Sequence, residues 1–226
     1  MTKNKIISII VPVFNEENLL PRLINQLFSW CEFYDEIIVS DGGSIDGTVN
    51  YCERVRLVRT KKGRAIQMNE AAKCARGDVF WFIHADVEIS NISRSELLPE
   101  NSEKPWGFFD IDLKDSHWIF RIIEFSMNFR SRLTKIATGD KGIFITRRVF
   151  EEIGGFPEIE IMEDIAISKK LKIYSPYISS HRLQVSSRRW RKNGILRTIS
   201  LMWFLRLAWF FRMSASFLAR IYQKND

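Results

Sequence analysis

The 226-residue sequence holds only three cysteines, Cys31, Cys52 and Cys74, and no C-x-x-C pair. That odd, widely spaced set excludes a disulfide framework and a thiolate zinc site, and it reads as reduced thiols in a cytosolic protein. Histidine is equally scarce, and His117 and His181 have no partner at metal-ligand spacing, so both read as structural. The six prolines and eleven glycines gather into no linker, and no repeat or low-complexity stretch divides the chain. Nothing approaches the ~20 predominantly apolar residues of a membrane-spanning helix. The longest uncharged run of the aromatic C-terminal segment is 198–205. The opening MTKNKIISIIVPVFNEE has no cleavage-like site and reads as a first strand rather than a signal peptide.

What is present is a globular composition, 46% apolar and 27% charged, in a chain long enough to bury a core without staples. Charge is unevenly spread. Residues 182–226 carry ten Lys/Arg against one acid, while residues 1–181 carry 24 against 26. The net charge of +7 therefore belongs to the tail, which suits nucleic acid, anionic lipid or a phosphorylated ligand.

Apolar runs at 5–13, 36–40, 55–59 and 78–84 read as strands, with helical spacing at 16–30 and 63–75 between them. This alternation argues for a doubly wound, mostly parallel α/β sheet, whose ligands sit outside the carboxyl ends of the strands. The second half is less regular. Strands are expected at 106–113, 142–146 and 177–187, helices at 117–135 and 163–174, with Phe80, Trp81 and Phe82 in the core. The organisation is one domain, 1–190, and a helical tail, 191–226.

The strand ends carry the chemistry. After the first comes Val11-Pro12-Val13-Phe14-Asn15-Glu16-Glu17, where Asn15 also suits a plain helix cap. After the second comes Asp41-Gly42-Gly43-Ser44-Ile45-Asp46-Gly47-Thr48, whose glycines allow close ligand approach and whose Asp41 can accept from a ribose or base edge. After the fourth comes His84-Ala85-Asp86, which offers a hard oxygen to Mg²⁺ or Mn²⁺ or, more simply, a turn residue.

In this order the motifs resemble glycosyltransferase family 2, inverting nucleotide-sugar enzymes of the GT-A fold. VPVFNEE is similar to that family's opening motif and DGGSIDGT to its D-G-S-x-D-G-T loop. Residues 63–69, GRAIQMN, stand where its diphosphate-facing segment lies. Met162-Glu163-Asp164 resembles its E-D pair, and Arg188-Arg189-Trp190 the end of its Q-x-x-R-W motif. A narrower likeness, through GRAIQMN, IHAD, ATGDKGIF, GGFPEIEIMED and RRW, is to a bacterial subgroup tied to arsenosugar biosynthesis. Two departures stand out. His84 replaces the first Asp of the usual D-x-D metal motif, and Ser186 replaces the Gln of Q-x-x-R-W.

The resemblance implies a GT-A (nucleotide-diphospho-sugar transferase) fold with a Rossmann-like sheet and an amphipathic C-terminal tail. It implies a metal-dependent inverting transfer from a nucleotide sugar, UDP-linked, to an acceptor hydroxyl. Asp164, with Glu163 beside it, is the implied catalytic base, and helix capping is a compatible role for the pair. Pro12, Phe14, Asn15, Glu16, Asp41, Gly42, Gly43, Arg64 and Asp86 are the implied nucleotide residues. Asp140, Arg188, Arg189 and Trp190 are implied at the leaving group or acceptor; Arg64 also reads as a surface arginine and Asp140 as a turn. The implied cofactor is Mg²⁺ or Mn²⁺ on Asp86, with His84 or Glu88 nearby.

The aromatic, arginine-interrupted segment 195–222 reads as one helix lying on an anionic membrane surface, or packed on the domain or a second subunit. The expected partners are a nucleotide sugar, a small-molecule or lipid-linked acceptor and a membrane surface, without nucleic acid. The expected location is cytoplasmic, peripheral to the inner membrane face. A nucleotidyltransferase on a similar sheet, or a non-catalytic RNA- or lipid-binding module, are the competing readings.

Overall fold

The computed structural model describes residues 5–33, 35–89, 92–97 and 104–224, with backbone only at Ser180 and Arg189. The first half runs β1 (Ile7–Val13), α1 (Leu20–Trp30), β2 (Glu36–Asp41), β3 (Arg56–Arg59), α2 (Arg64–Cys74), β4 (Val79–Phe82) and β5 (Val87–Glu88). The second half runs β6 (Trp106–Leu113), α3 (Trp118–Thr134), β7 (Phe144–Thr146), α4 (Arg147–Glu152), α5 (Glu163–Lys170) and β8 (Tyr177–Val185). The tail forms α6 (Arg188–Asn193), α7 (Ile195–Phe210) and α8 (Ala215–Lys224).

Every residue of β1, β2 and β4 is buried, as continuous apolar runs in a sheet covered on both faces must be. The order is β3-β2-β1-β4-β7-β6-β8-β5. The first four strands are mutually parallel, with Val13 opposite Asp41. Antiparallel β7 is inserted between β4 and β6, and antiparallel β5 closes the far edge against β8. The sheet is thus mixed, with six of its eight strands running one way.

Side chains alternate across this sheet into two cores. Ile7, Ile9 and Val11 pack with α1 and α3, whereas Ile10, Phe80 and Phe82 pack with α2 and α4. Phe80, Trp81 and Phe82 are core, as expected.

Two elements differ from the sequence reading. Helix α1 starts at Leu20, with Pro21 in its first turn, because residues 15–17 bond across to the 44–48 loop instead of continuing the helix. The segment 195–222 is two helices, α7 and α8, rather than one. Arg212 takes a left-handed φ of 61°, and the N–H groups of Met213 and Arg212 donate to the Ala208 and Trp209 carbonyls. That Schellman closure ends α7 and turns the chain into α8. Leu205, Ala208, Leu218 and Ala219 then bury against Ile161, Met162 and Ile165. The inner face of the tail packs on the domain, and its outer face is exposed at Trp203, Leu207 and Phe210.

Candidate active site

The loops after β1 and β2 fold onto each other. Asn15, at a left-handed φ of 56°, accepts from the Ile45 N–H (3.0 Å) while its own N–H donates to Ser44 Oγ (2.9 Å). The Glu16 N–H donates to Thr48 Oγ1 (2.8 Å), and the Gly47 N–H to Glu17 Oε2 (2.8 Å). Asn15 therefore does not cap α1, whose cap position is Leu19 without a side-chain bond. Asp41 is buried, and its carboxylate accepts from the Gly43 and Ser44 N–H groups, so its first task is to shape the loop.

Gln67 of α2 joins the two strand ends. Its Nε2 donates to the Val13 and Ser40 carbonyls, each at 2.8 Å. A side chain at Gly42 would crowd that amide at 3.1 Å, which explains the glycine. Gln67 lies within the 63–69 segment, but the sequence assigns it no role of its own, because a lone glutamine in a helix announces nothing.

Beside these loops opens a cleft of about 570 Å³. Pro12, Phe14 and Glu16 line it from the end of β1, Arg64 from α2, His84 and Asp86 from the turn after β4, and Trp190 from α6. Asp140 and Asp164 line it from the second half, and Met202, Trp203, Arg206 and Tyr222 from the tail. Asn15, Asp41, Gly42 and Gly43 lie outside this lining and act on it through the loop they build.

Asp164 stands in the first turn of α5. Its Oδ2 accepts from the Gly139 N–H (2.9 Å) and its Oδ1 from the Ile165 N–H (2.7 Å), which fixes the carboxylate at the cleft wall. Glu163 points behind that wall, where its Oε1 pairs with Arg64 Nε at 2.8 Å. Burial raises the pKa of Glu163, Arg64 opposes the shift, and Asp164 adds to it. For Arg64, burial disfavours the charge, but Glu163 and Asp164 more than offset it. Arg64 is thus an anchored cation, part-exposed at the cleft with its Nε held by Glu163, and Glu163 is its anchor rather than a second group in the cleft.

Burial, helped by Arg64, holds His84 down at about 4, so its imidazole is neutral at neutral pH. It fits tightly against Gly139, where a Cβ would fall 2.6 Å from Nε2. At the same end of the cleft burial raises Glu16, Arg188 opposes that, and Asp86 adds to it. Among the described residues no group of three or more His, Cys, Asp or Glu side chains is arranged to hold a metal ion. A carboxylate and a neutral imidazole open to the cleft still suit Mg²⁺ or Mn²⁺, which keeps waters and takes further oxygens from substrate phosphates.

Arg188 is exposed and faces Glu16, Trp190 packs at the cleft edge, and the Arg189 side chain lies outside the described residues. Helix α6 is held by Asp115, which accepts from Arg191 Nε (2.6 Å) and Ser187 Oγ (3.0 Å). His117 caps α3 by accepting from the Ile119 N–H, and His181 contacts Glu96, structural roles as expected.

An undecaprenyl-phosphate 4-deoxy-4-formamido-L-arabinose transferase of Pseudomonas syringae pv. syringae is 28% identical over 160 residues, 62% of this chain and 46% of its own. An uncharacterized glycosyltransferase of Bacillus subtilis is 33% identical over 92 residues, 35% of this chain and 23% of its own. The chain thus spans less than half the length of these two curated relatives. Among solved structures, S. aureus TarS 1–349 in complex with UDP overlays with a TM-score of 0.63 at 18% identity, covering 80% of this chain and 60% of that one. A Pyrobaculum calidifontis mannosyltransferase in complex with GDP-Man and Mn²⁺ overlays at 0.60 and 20% identity, covering 82% and 57%. At such identities the overlays establish a shared GT-A fold. The match to glycosyl transferase family 2 runs over residues 8–154, from β1 through α4, and the chain belongs to that family.

Proposed function

We propose that the protein is a metal-dependent inverting glycosyltransferase that moves a sugar from a UDP-linked donor to an acceptor hydroxyl. One observation carries the reading. Asp164 from α5, neutral His84 and Asp86 from the turn after β4, and the Glu163-anchored Arg64 from α2 all line a single cleft, with Glu163 buried behind it. In the transfer, the acceptor oxygen attacks the anomeric carbon in line with its bond to the diphosphate. The new C–O bond forms as the old one breaks, the electron pair leaves on the diphosphate oxygen, and the hydroxyl proton passes to Asp164. Gly139 N–H aims the Asp164 carboxylate, and Arg64 places positive charge beside the leaving group. A divalent cation, when bound at Asp86 and His84, supplies further charge against the departing diphosphate.

The complexes of neighbours with UDP, and of a Mycobacterium tuberculosis glucosyl-3-phosphoglycerate synthase with UDP and Mn²⁺, support the donor and cation. The narrower arsenosugar likeness stands with these proposals, and arsenic-containing acceptors in the assay test it. A panel of nucleotide sugars with Mg²⁺ or Mn²⁺, read by nucleoside diphosphate release, tests the whole; no binding and no release across the panel overturns it. A nucleotidyltransferase gives no such release from nucleotide sugars and instead frees pyrophosphate when supplied with a nucleoside triphosphate and a sugar 1-phosphate. Asp86→Ala is expected to abolish cation-dependent UDP binding in calorimetry, and retained binding removes Asp86 from that role.

The acceptor side supports a peripheral membrane location on the cytoplasmic face. Helix α3 exposes Trp118, Ile122, Phe125, Phe129 and Leu133 along one stripe, with Phe125 at 71% and Leu133 at 72%. Ile122 and the exposed Trp203 of α7 both line the cleft, so the apolar surface reaches its mouth. Combined with a C-terminal segment of ten Lys/Arg and one acid, that surface suits an anionic bilayer. No helix among the described residues is long and apolar enough to cross a membrane. Co-sedimentation with phosphatidylglycerol vesicles, reversed by high salt and reduced by Phe125→Ser with Phe129→Ser, tests this; indifference to the vesicles at low salt overturns it.

A further inference from the structure

Helices α3 and α7 each send one arginine into the cleft wall, Arg130 and Arg206. The Nε and Nη2 of Arg130 are buried without a hydrogen-bond partner. Among the described residues neither guanidinium has an ion-pair or hydrogen-bond partner. Asp140, which both arginines face, likewise keeps a buried Oδ1 without one. An arginine stays charged, and a buried cation lacking a partner is costly. The two also repel each other, and burial together with that repulsion holds Arg130 at about 10. Asp140 and Asp164 offset part of this from a distance.

Such an arrangement lacks an anion bonded to the guanidiniums. We propose that Arg130 and Arg206 form a binding site for a phosphate monoester carried by the acceptor. A phosphate presents three oxygens in the geometry that a guanidinium fork bonds in pairs, and two charges to satisfy two arginines. The site belongs to the acceptor because both arginines face Asp164, the base that must lie beside the attacking hydroxyl, whereas Arg64 is committed to Glu163. This assignment to the acceptor rests on the glycosyltransferase reading; the anion site itself does not. Exposed apolar side chains around the mouth admit a lipid phosphate, and the open cleft admits a soluble one.

The test uses the full chain and the double variant Arg130→Gln with Arg206→Gln. Inorganic phosphate and glycerol 3-phosphate, titrated by calorimetry with UDP and Mg²⁺ present, probe the soluble source. Phosphatidylcholine vesicles doped with phosphatidic acid, against vesicles doped with phosphatidylglycerol, probe the lipid source. The wild type is expected to bind soluble phosphate, or to prefer phosphatidic acid over phosphatidylglycerol, and the double variant to lose at least tenfold of that affinity while keeping UDP binding. Without ligand, the double variant is expected to melt higher than the wild type, because it no longer buries the unpartnered guanidinium of Arg130 or sets a second cation beside it. Equal phosphate binding by both proteins, no phosphate binding from either source, or a lower melting temperature in the variant overturns the proposal. Failure of UDP to bind the wild type counts against the glycosyltransferase reading alone.

Discussion

The two halves of the cleft satisfy their polar groups differently. In the half built by β1, β2 and α2, Asn15 accepts from the Ile45 N–H, Asp41 from the Gly43 N–H and Asp46 from the Thr48 N–H, while Gln67 donates to the Val13 carbonyl. In the half built by α3, α5 and the loop before β7, Arg130, Thr138, Asp140 and Glu163 each keep a buried atom without a hydrogen-bond partner. Among these strands and α2, Ser40 Oγ is the one buried side-chain atom left without a partner, so that half is nearly finished by its own chain. The other is arranged for something it does not itself contain, and orphaned groups of this kind mark where a ligand completes the structure.

The largest expected effect tests the unfinished half. Asp164→Asn keeps the shape and the Gly139 contact but cannot take a proton. Turnover should fall at least ~100-fold, on the scale of general-base catalysis, with UDP affinity unchanged. Single-turnover kinetics alongside calorimetry check it, and normal turnover moves the base to another carboxylate.

A second experiment separates ligand-seeking polar groups from structural ones in the same half. Lys141 is fully buried and donates to Asn128 Oδ1 (2.6 Å), which links the loop before β7 to α3. Burial lowers its pKa to about 8, against Asp140 and Asp110. The unfolded chain takes up that proton near pH 10.5, above the folded protein. Stability should therefore fall as the pH drops from about 10.5 to 8 and stay level below, by roughly 1.4 kcal/mol per pH unit and on the order of 3 kcal/mol in all. Lys141→Met should lack this slope in urea titrations across that range.

In the other half, Gln67→Ala removes the side-chain donor shared by the Val13 and Ser40 carbonyls, of which Val13 keeps the Gly42 N–H. A loss of about 1 kcal/mol is expected in chemical denaturation, together with weaker UDP binding as the two loops separate. Unchanged stability would show that the loops hold without the glutamine. The smallest effect concerns the tail. Arg212→Gly relieves a left-handed arginine at the end of α7 and should raise stability by about 1 kcal/mol, seen as a higher melting temperature.

The first half was legible in the sequence because its logic is local. Buried parallel strands must be continuous apolar runs, and glycines, Asn15 and Asp41 mark the turns that follow them. Loop chemistry of this kind fits within a few consecutive residues. The second half was less open to reading. Strand β6 was apparent from its run of apolar residues, but the insertion of β7 between β4 and β6 depends on pairing with residues 60 or more positions away. Arg130 sits in α3 and Arg206 in α7, each looking like an ordinary charged residue on an amphipathic helix. The tail showed its aromatic density but not its division, because a left-handed arginine carries no sequence signal.

The sequence by itself determined the family, the strand–turn motifs at the head of the sheet and the candidacy of Asp164, Asp86 and Arg64, since these are set by residue type at short spacing. Only the tertiary structure decided that Glu163 turns inward to hold Arg64, that Gln67 fastens β1 to β2, and that two arginines from distant helices meet without a partner. Each of those depends on which faces of separate helices pack against the sheet. That choice is made by burying apolar surface along the whole chain, so it cannot be read from any one segment.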